Sequence, residues 1–384
     1  MPYQPLQSVR VLDLSKLMGP GYATVKLADL GADVVKVESG SGDPIRQIPP
    51  LVHQSGLLHW SLDRGKRSIS LDIDQPDGRA VLQKLARTAD VIVDSSASPS
   101  RPRHGLDLAE LRIERPEVVV CSITAFGLTG PLAKMPGHGL AVDALAGSAR
   151  TVVHDGRECF DFTTIPISIA FELGALHAAL AIVAAVFRCR VDGRGEWIDV
   201  SCWDAAVEMR RDALAWAAHT REPFPGWGKM ANAHRAYYSI YTTADGRKVF
   251  LDAPDRRSWE AVCMCLGRED LVAAWDDEAA SVVPTAVRDE LDAIFRSEPA
   301  DHWMRRFVER RISGGQILDE VEMIGFEHLQ ARELVEPPAD GRPAQVLMPV
   351  RWMSDGSRPG AGAKPFKAVG EDTDDVLAEW RVTS

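Results

Sequence analysis

The sequence has few cysteines, the residues that build disulfide frameworks and many metal sites. Its six cysteines are scattered through 384 residues, mostly among apolar neighbours, and no two of them form a CxxC pair. Isolated cysteines of this kind are typical of buried free thiols. We therefore expect neither disulfides nor a bound metal.

Positive charge is also scarce. Lys and Arg number 44 against 55 Asp and Glu, which gives a formal net charge of -11. Nucleic-acid binding needs clustered positive charge, so the composition argues against nucleic acid as a partner. A local basic cluster can still hold a small polyphosphate.

We also expect neither a targeting segment nor a membrane segment. The first residues, Met1-Pro2-Tyr3-Gln4, have neither the basic nor the apolar region of a signal peptide. A continuous apolar segment over 174–187 is too long for an ordinary strand and too short for a membrane span, so it predicts a buried helix. We therefore expect a cytoplasmic protein without membrane contact.

The chain does contain alternating strand and helix patterns. Strands are predicted at 9–14 and 33–38, separated by a helix that Gly31 ends, and further strands at 89–94 and 118–123. Right-handed crossovers make such strands parallel. The pattern predicts an α/β fold, and the turn after the first strand lacks the GxGxxG spacing of a dinucleotide site.

The later part of the chain indicates a second domain. A Pro- and Gly-rich break at 222–228 follows a helix predicted over 203–219, and a hairpin is predicted around Ala244-Asp245-Gly246. The helical segments that follow complete a smaller α+β domain. The length and the 45% hydrophobic content agree with two domains.

Several short motifs are informative when their order and spacing are taken together. They are 11–15, Gly19-Pro20, 28–38, Gly42-Asp43-Pro44 with Arg46, 64–69, Phe126-Gly127, Thr129-Gly130-Pro131, Gly193-Arg194-Gly195, Tyr241 with Ala244-Asp245-Gly246, and 370–374. In this order and spacing they resemble the class III CoA-transferase family (CaiB/BaiF) over nearly the whole chain. The family also contains α-methylacyl-CoA racemases.

The resemblance implies a fold and a set of partners. It implies a Rossmann-like parallel-sheet large domain at 1–222, to which a C-terminal segment at 327–384 returns, and a small α+β domain at 223–326. It also implies an interlocked dimer, with an identical or a homologous subunit. Acyl-CoA and a carboxylic acid are the implied substrates, with coenzyme A as the carried group.

The same resemblance raises a question about catalysis. In transferases of the family an Asp four residues before a Gly, at the start of the central helix, carries the acyl group as a mixed anhydride. Counting back from Gly174 gives Ala170, which has no nucleophile. Glu172 is either a relocated nucleophile or a first-turn acid that stabilises the helix dipole. Alternatively, a homologous subunit supplies the carboxylate.

Two other activities stay open. In racemases of the family a His at the place of His138 transfers a proton and an acid lies at the place of Asp255, although the second base is again the missing Asp. A racemase-like or lyase-like enzyme would then act on an acyl-CoA α-proton through His138. The third alternative is a non-catalytic subunit that completes the site of an active partner.

The implied CoA contacts are also altered. The family follows its third strand with Asn-Phe-Arg-Pro-Gly, whereas this chain has Ser95-Ser96-Ala97-Ser98-Pro99. We expect the remaining phosphate and adenine contacts to come from the turn after the first strand, from a basic pair that precedes a later strand, from the first serine of the altered run, and from two arginines that replace the lost charge. These residues are Lys16, Leu17, Met18, Lys66, Arg67, Ser95, Arg101 and Arg103.

Overall fold

The computed structural model describes residues 3–96, 105–161, 168–226, 236–275, 285–339 and 341–382. The chain divides into two compact units, one formed by Met1–Arg210 and Arg332–Ser384 and the other by Arg211–Ala331. The second unit therefore begins before the predicted position 223 and ends after the predicted position 326.

The first unit is built mainly from the N-terminal half of the chain. Its elements there are β1 Arg10–Asp13, α1 Met18–Asp29, β2 Asp33–Glu38, β3 Leu51–Val52, β4 Ser55–Gly56, α2 Leu57–Leu62, β5 Arg67–Ser70, α3 Pro76–Ala86, β6 Val91–Asp94, α4 Leu108–Glu114, β7 Val119–Thr124, α5 Gly139–Leu145, β8 Thr151–His154, β9 Arg157–Phe160, α6 Ile169–Asp192, β10 Trp197–Ser201 and α7 Cys202–Glu208.

Six of these strands form one parallel sheet in the order β10-β7-β6-β1-β2-β5. Numbered by their place in the chain, they follow the 3-2-1-4-5-6 order of the doubly wound dinucleotide-binding fold. The predicted α/β fold with a parallel sheet is thus confirmed. The strand order reverses between β1 and β6, which is the switch point of the sheet. A crevice therefore opens beyond the carboxyl ends of these two strands.

Both faces of the sheet are covered, which explains the continuous apolar runs in its strands. On one face Val11 and Val119 pack with residues of α1 and α6. On the other face Leu12 and Val120 pack with residues of α3 and α4. All six residues of β7 are buried. Successive side chains of a strand point to opposite faces, so one strand serves both apolar layers.

The central helix α6 is longer than the predicted 174–187. The Ser168 hydroxyl accepts the Phe171 N–H at its start, and Gly193, with φ 72°, ends it. At 24 residues and a mean hydropathy of 2.1 it is long and apolar enough to cross a membrane, so the prediction that this segment is too short was wrong. One such helix is weak evidence for a membrane protein, because α6 packs on α1, α5 and α7 as a core helix does.

The C-terminal segment completes the first unit with β14 Val335–Glu336, β15 Gln345–Val346 and α14 Thr373–Glu379. The Trp380 indole donates to Asp33 at 2.9 Å, and the Ser68 N–H donates to Asp372 at 2.9 Å. Both ends of the chain therefore build this unit.

The second unit has its own antiparallel sheet, β11-β12-β13, and its own aromatic core around Trp259, Phe295 and Trp303. The hairpin predicted around Asp245 joins β11 to β12. The single helix predicted over 203–219 is two helices, α7 and α8. The elements of the second unit are α8 Arg211–Thr220, β11 Tyr238–Thr242, β12 Lys248–Asp252, α9 Arg256–Leu266, α10 Thr285–Phe295, α11 Ala300–Arg310, β13 Gly314–Gln316, α12 Glu320–Gly325 and α13 Glu327–Ala331.

Candidate functional site

A cavity of about 650 Å³ lies in the first unit, beyond the carboxyl ends of β1, β6 and β7. This is the crevice where ligands bind in open parallel sheets. It is lined by Leu14, Lys16, Leu17, Met18, Gly19, Pro20, Ile48, Ile73, Ser95, Ser96, Ile123, Thr124, Ala125, Phe126, Ala133, Met135, Pro136, Gly137, His138, Gly139, Phe171 and Cys202.

The turn after β1 forms one side of the cavity. The helix that follows, α1, has no side-chain cap at its N-terminus. In the described part of the chain, the backbone N–H groups of Met18 and Gly19 have no hydrogen-bond partner. Free N–H groups and the positive end of a helix dipole favour an anionic ligand, and the Lys16 side chain adds a positive charge nearby.

A chain of buried charges lies behind this turn. In order, it consists of Asp13, Lys66, Asp63, Lys36 and Asp43, and we call it the charge chain. The Lys66 ammonium lies 3.3 Å from Asp13 and 2.9 Å from Asp63, and the Lys36 ammonium lies 3.3 Å from Asp63 and 2.8 Å from Asp43. Burial alone would lower the pKa of Lys36, but the three carboxylates raise it above its usual value. The Lys36 ammonium group therefore stays charged.

These contacts bear on two predicted CoA ligands. Lys66 is buried in the charge chain, and Arg67 pairs with Asp33 at 2.5 Å and with Glu379 at 2.6 Å. Neither is among the described residues that line the cavity. The charges of Lys66 and Arg67 are paired with carboxylates of the protein itself. The geometry therefore gives no support to a phosphate contact from either residue.

The other predicted CoA ligands lie at the cavity. Lys16, Leu17, Met18 and Ser95 all line it, and the Ser95 hydroxyl accepts the Lys16 N–H at 3.4 Å. The turn after β1 and the loop after β6 are therefore joined at the switch point of the sheet. Predicted Arg101 and Arg103 lie outside the described residues.

His138 lines the cavity at the N-cap position of α5. No group in the described residues hydrogen-bonds its imidazole. The glycines on either side allow close packing: a Cβ on Gly137 would lie 2.3 Å from Ala125 Cβ, and one on Gly139 would lie 2.4 Å from Ser168 Cβ. The Gly-His-Gly motif therefore brings the start of α5 against the start of α6.

Ala170 lies in the first turn of α6 and is fully buried. Its N–H donates to Oδ1 of Asp143, a residue of α5, at 2.8 Å. Burial and the neighbouring Asp143 raise the pKa of Cys202 to about 12, so this cavity-lining thiol is protonated at neutral pH. Sequence analysis missed Asp143, because no motif marks it and its contact spans 27 residues.

The two other predicted catalytic residues are Glu172 and Asp255. Glu172 is half-buried, and burial raises its pKa, although Lys26 opposes the shift. It is not among the described residues that line the cavity, whereas its neighbour Phe171 is. Asp255 belongs to the second unit and caps α9, where it accepts the Ser258 N–H at 2.8 Å; this bond lowers its pKa.

The fold and the cavity define an α/β protein with a ligand crevice at the switch point of a doubly wound sheet. The model of CoA-transferase family III matches residues 6–373. The chain therefore belongs to this family. Because its relatives are CoA-transferases, it is an enzyme of the CoA-transferase type. The resemblance found in the sequence is confirmed.

Individual relatives and a solved structure also support the family assignment. Succinate–glutarate CoA-transferase from Agrobacterium fabrum is 29% identical over 98% of this chain and 95% of its own length. A subunit of succinyl-CoA:(R)-benzylsuccinate CoA-transferase from Thauera aromatica is 33% identical over 56% of this chain and 52% of its own length. A CaiB/BaiF family protein from Brucella suis has the same fold, with a TM-score of 0.79 and 24% identity over 98% of this chain and 100% of that one.

Proposed function

We propose that this chain is a subunit of an enzyme that transfers CoA between two carboxylic acids. In this proposal it binds CoA in the switch-point cavity, and a homologous partner chain supplies the carboxylate that carries the acyl group. The observation that carries the proposal is the start of α6, where Ala170 is buried and offers no nucleophile next to the cavity-lining Phe171. The relative named as a subunit supports such an assembly.

The nucleotide end of CoA would bind at the turn after β1. The free N–H groups of Met18 and Gly19 favour its phosphates, and the ammonium of Lys16 adds attraction. The pantetheine arm would then follow the apolar wall formed by Phe126 and Phe171. This places the thioester toward the start of α6.

The chemical step exchanges one thioester for another. A carboxylate oxygen attacks the thioester carbonyl carbon, the C–S bond breaks, and CoA leaves as a thiolate while the acyl group stays as an anhydride. The thiolate then attacks the enzyme-side carbonyl carbon of the anhydride, which breaks the C–O bond, releases the first acid as its carboxylate and leaves CoA on the enzyme carboxyl as a thioester. The second acid attacks this thioester, and the same steps in reverse order release its own CoA thioester and the free enzyme carboxylate. Thioester bonds broken and formed are equal in number, so no nucleotide hydrolysis is needed.

An assembly is also part of the proposal. Leu176, Leu180, Phe187 and Val191 leave an apolar face of α6 exposed in the single chain. Exposed apolar faces of this kind mark protein interfaces. We propose that a homologous subunit covers this face in an interlocked dimer.

The test compares the purified chain alone with the chain co-expressed with a homologue that has Asp at the position of Ala170. The probes are succinyl-CoA and glutarate, and the readout is glutaryl-CoA formation. We expect the lone chain to bind CoA without exchange and the 1:1 complex to exchange it. Exchange by the lone chain, with a hydroxylamine-trappable acyl group on it, would place the nucleophile in this chain. A chain that binds no CoA in either form would contradict the proposal itself.

A second candidate function rests on His138. Its imidazole lines the cavity and has no hydrogen-bond partner in the described residues, so it is free to move a proton. The lone chain would then exchange the α-hydrogen of 2-methylbutanoyl-CoA for deuterium in D₂O. His138→Gln should abolish this exchange without changing CoA affinity. Wild-type chain without exchange would exclude this function.

A further inference from the structure

Leu17 lies at the rim of the cavity in a backbone conformation that residues with a side chain rarely adopt. Its φ of 66° and ψ of −155° fall in a region occupied almost only by glycine. Of the non-glycine residues with positive φ in the described chain, Leu17 is the one that lines the cavity. A strained conformation of this kind persists only where neighbouring groups fix it.

The carboxylate of Asp43 is the group that fixes Leu17. The Leu17 N–H donates to Oδ2 of Asp43 at 3.1 Å and to Oδ1 at 3.3 Å. The preceding N–H, that of Lys16, donates to the Ser95 hydroxyl. The turn is therefore held at two consecutive residues by side chains from different parts of the fold.

Asp43 is itself immobilised. It is buried, its Oδ2 lies 2.8 Å from the Lys36 ammonium, and its Oδ1 accepts the Ile45 N–H at 3.0 Å. Its own N–H donates to Glu38 at 2.8 Å. Because the carboxylate is fixed from several sides, the turn has to adapt to Asp43 rather than the reverse.

We infer that Asp43 is a positioning residue for CoA binding: it holds Leu17 in the strained conformation and so aims the free N–H groups of Met18 and Gly19 into the cavity. Asp43 is not among the described residues that line the cavity, so it acts through Leu17. The inference rests on the proposed function, because it takes the nucleotide end of CoA as the ligand of this turn.

The test measures CoA binding to the full chain by calorimetry. Asp43→Ala should weaken binding about tenfold, the change that corresponds to the lower end of the usual cost of such backbone strain. Glycine adopts the Leu17 conformation without steric cost. Adding Leu17→Gly to Asp43→Ala should therefore restore affinity to within about threefold of Leu17→Gly alone, a non-additive effect expected for coupled residues.

Two further variants separate positioning from general stability. Asp29→Ala is the matched control, because Asp29 is also buried and pairs with Arg64 at 2.6 Å at the far end of α1. It should lower the unfolding temperature and leave CoA affinity unchanged. Asp43→Asn keeps an acceptor for the Leu17 N–H but no charge for Lys36, so it should lose stability and keep affinity.

The outcomes distinguish this inference from the proposed function. A wild-type chain that does not bind CoA contradicts the proposed function. In that case amide deuterium exchange of the peptide that contains Leu17 still tests whether Asp43 holds this residue in place. Faster exchange in unliganded Asp43→Ala than in unliganded Asp29→Ala supports that role. If wild type binds CoA, equal affinity in these two variants, or no recovery with Leu17→Gly, overturns the inference alone. If Asp43→Ala does not fold, Asp43→Asn takes its place in the test. A loss of CoA affinity in Asp43→Asn that Leu17→Gly does not restore then overturns the inference as well.

Discussion

The carboxylate of Asp143 lies 2.8 Å from the backbone nitrogen of Ala170, so α5 supplies a negative charge to the N-terminus of α6. Oδ1 accepts this one hydrogen bond, and in the described part of the chain Oδ2 accepts none. A helix N-terminus stabilises a nearby carboxylate. The position beside residue 170 is thus already occupied by the charge of another side chain.

The first prediction concerns Ala170→Asp. A second buried carboxylate beside Asp143 raises the pKa of one member of the pair, because two like charges in one site disfavour ionisation. An Asp with a raised folded pKa binds more protons folded than unfolded, so stability falls as pH rises above about 4. The variant should therefore be less stable than wild type by about 1–3 kcal/mol at pH 8 and by less at pH 4.5.

Ala170→Asn is the control for Ala170→Asp, since it has the same shape without the charge. Its difference from wild type should not depend on pH in urea unfolding. Adding Asp143→Asn to Ala170→Asp should recover stability and leave one carboxylate at the start of α6. If the proposed function is right, this double variant is the form of the lone chain expected to gain CoA exchange.

A second prediction concerns the charge chain. Lys36→Met should destabilise the first unit by about 3–5 kcal/mol, because it leaves Asp43 and Asp63 buried without their shared cation. Lys367→Met is the comparison: its ammonium lies 2.7 Å from Glu371 at the surface, and its loss should cost less than about 1 kcal/mol. Similar losses in the two variants would show that burial does not matter here.

His59 gives a third, pH-dependent prediction. It is fully buried, and burial lowers its pKa to about 4, although Asp63 opposes the shift. The unfolded chain then binds more protons than the folded one between about pH 6.5 and 4, so stability falls as pH is lowered through this window. His59→Gln should flatten the fall measured by urea unfolding, whereas His302→Gln, on a partly exposed residue, should leave it unchanged.

The fourth prediction tests the exposed face of α6. Leu180 is 66% exposed, so Leu180→Glu should change the stability of the isolated chain little. It should nevertheless prevent assembly with the partner chain, because a charge would be buried at the interface. Light scattering after size exclusion measures this. Val308→Glu, at 65% exposure on α11, should leave the assembly intact.

Local patterns predicted the sheet well and the site only in part. The strand at 33–38 agrees with β2, since alternation and β-branching act within a few residues. Lys16, Leu17, Met18, Ser95 and His138 were placed by resemblance, and all line the cavity.

The missed features depend on contacts that are distant in sequence. The residues around Arg67 give no sign of its ion pair with Glu379, which is 312 residues away. The residues around Asp143 likewise do not indicate its hydrogen bond to Ala170. A charged residue is therefore assigned to a ligand or to the fold only once its neighbours in space are known.

The return of the C-terminal segment to β5 has a consequence for biosynthesis. β5 is an edge strand, and its outward Ser68 and Ser70 N–H groups are satisfied by Asp372 and by the Thr373 hydroxyl. On the ribosome this edge stays open until the whole of Arg211–Ala331 has emerged and the last helix follows it. The later unit can thus fold before the earlier one is sealed, and the nascent chain carries an uncovered strand that is prone to wrong pairing throughout that interval.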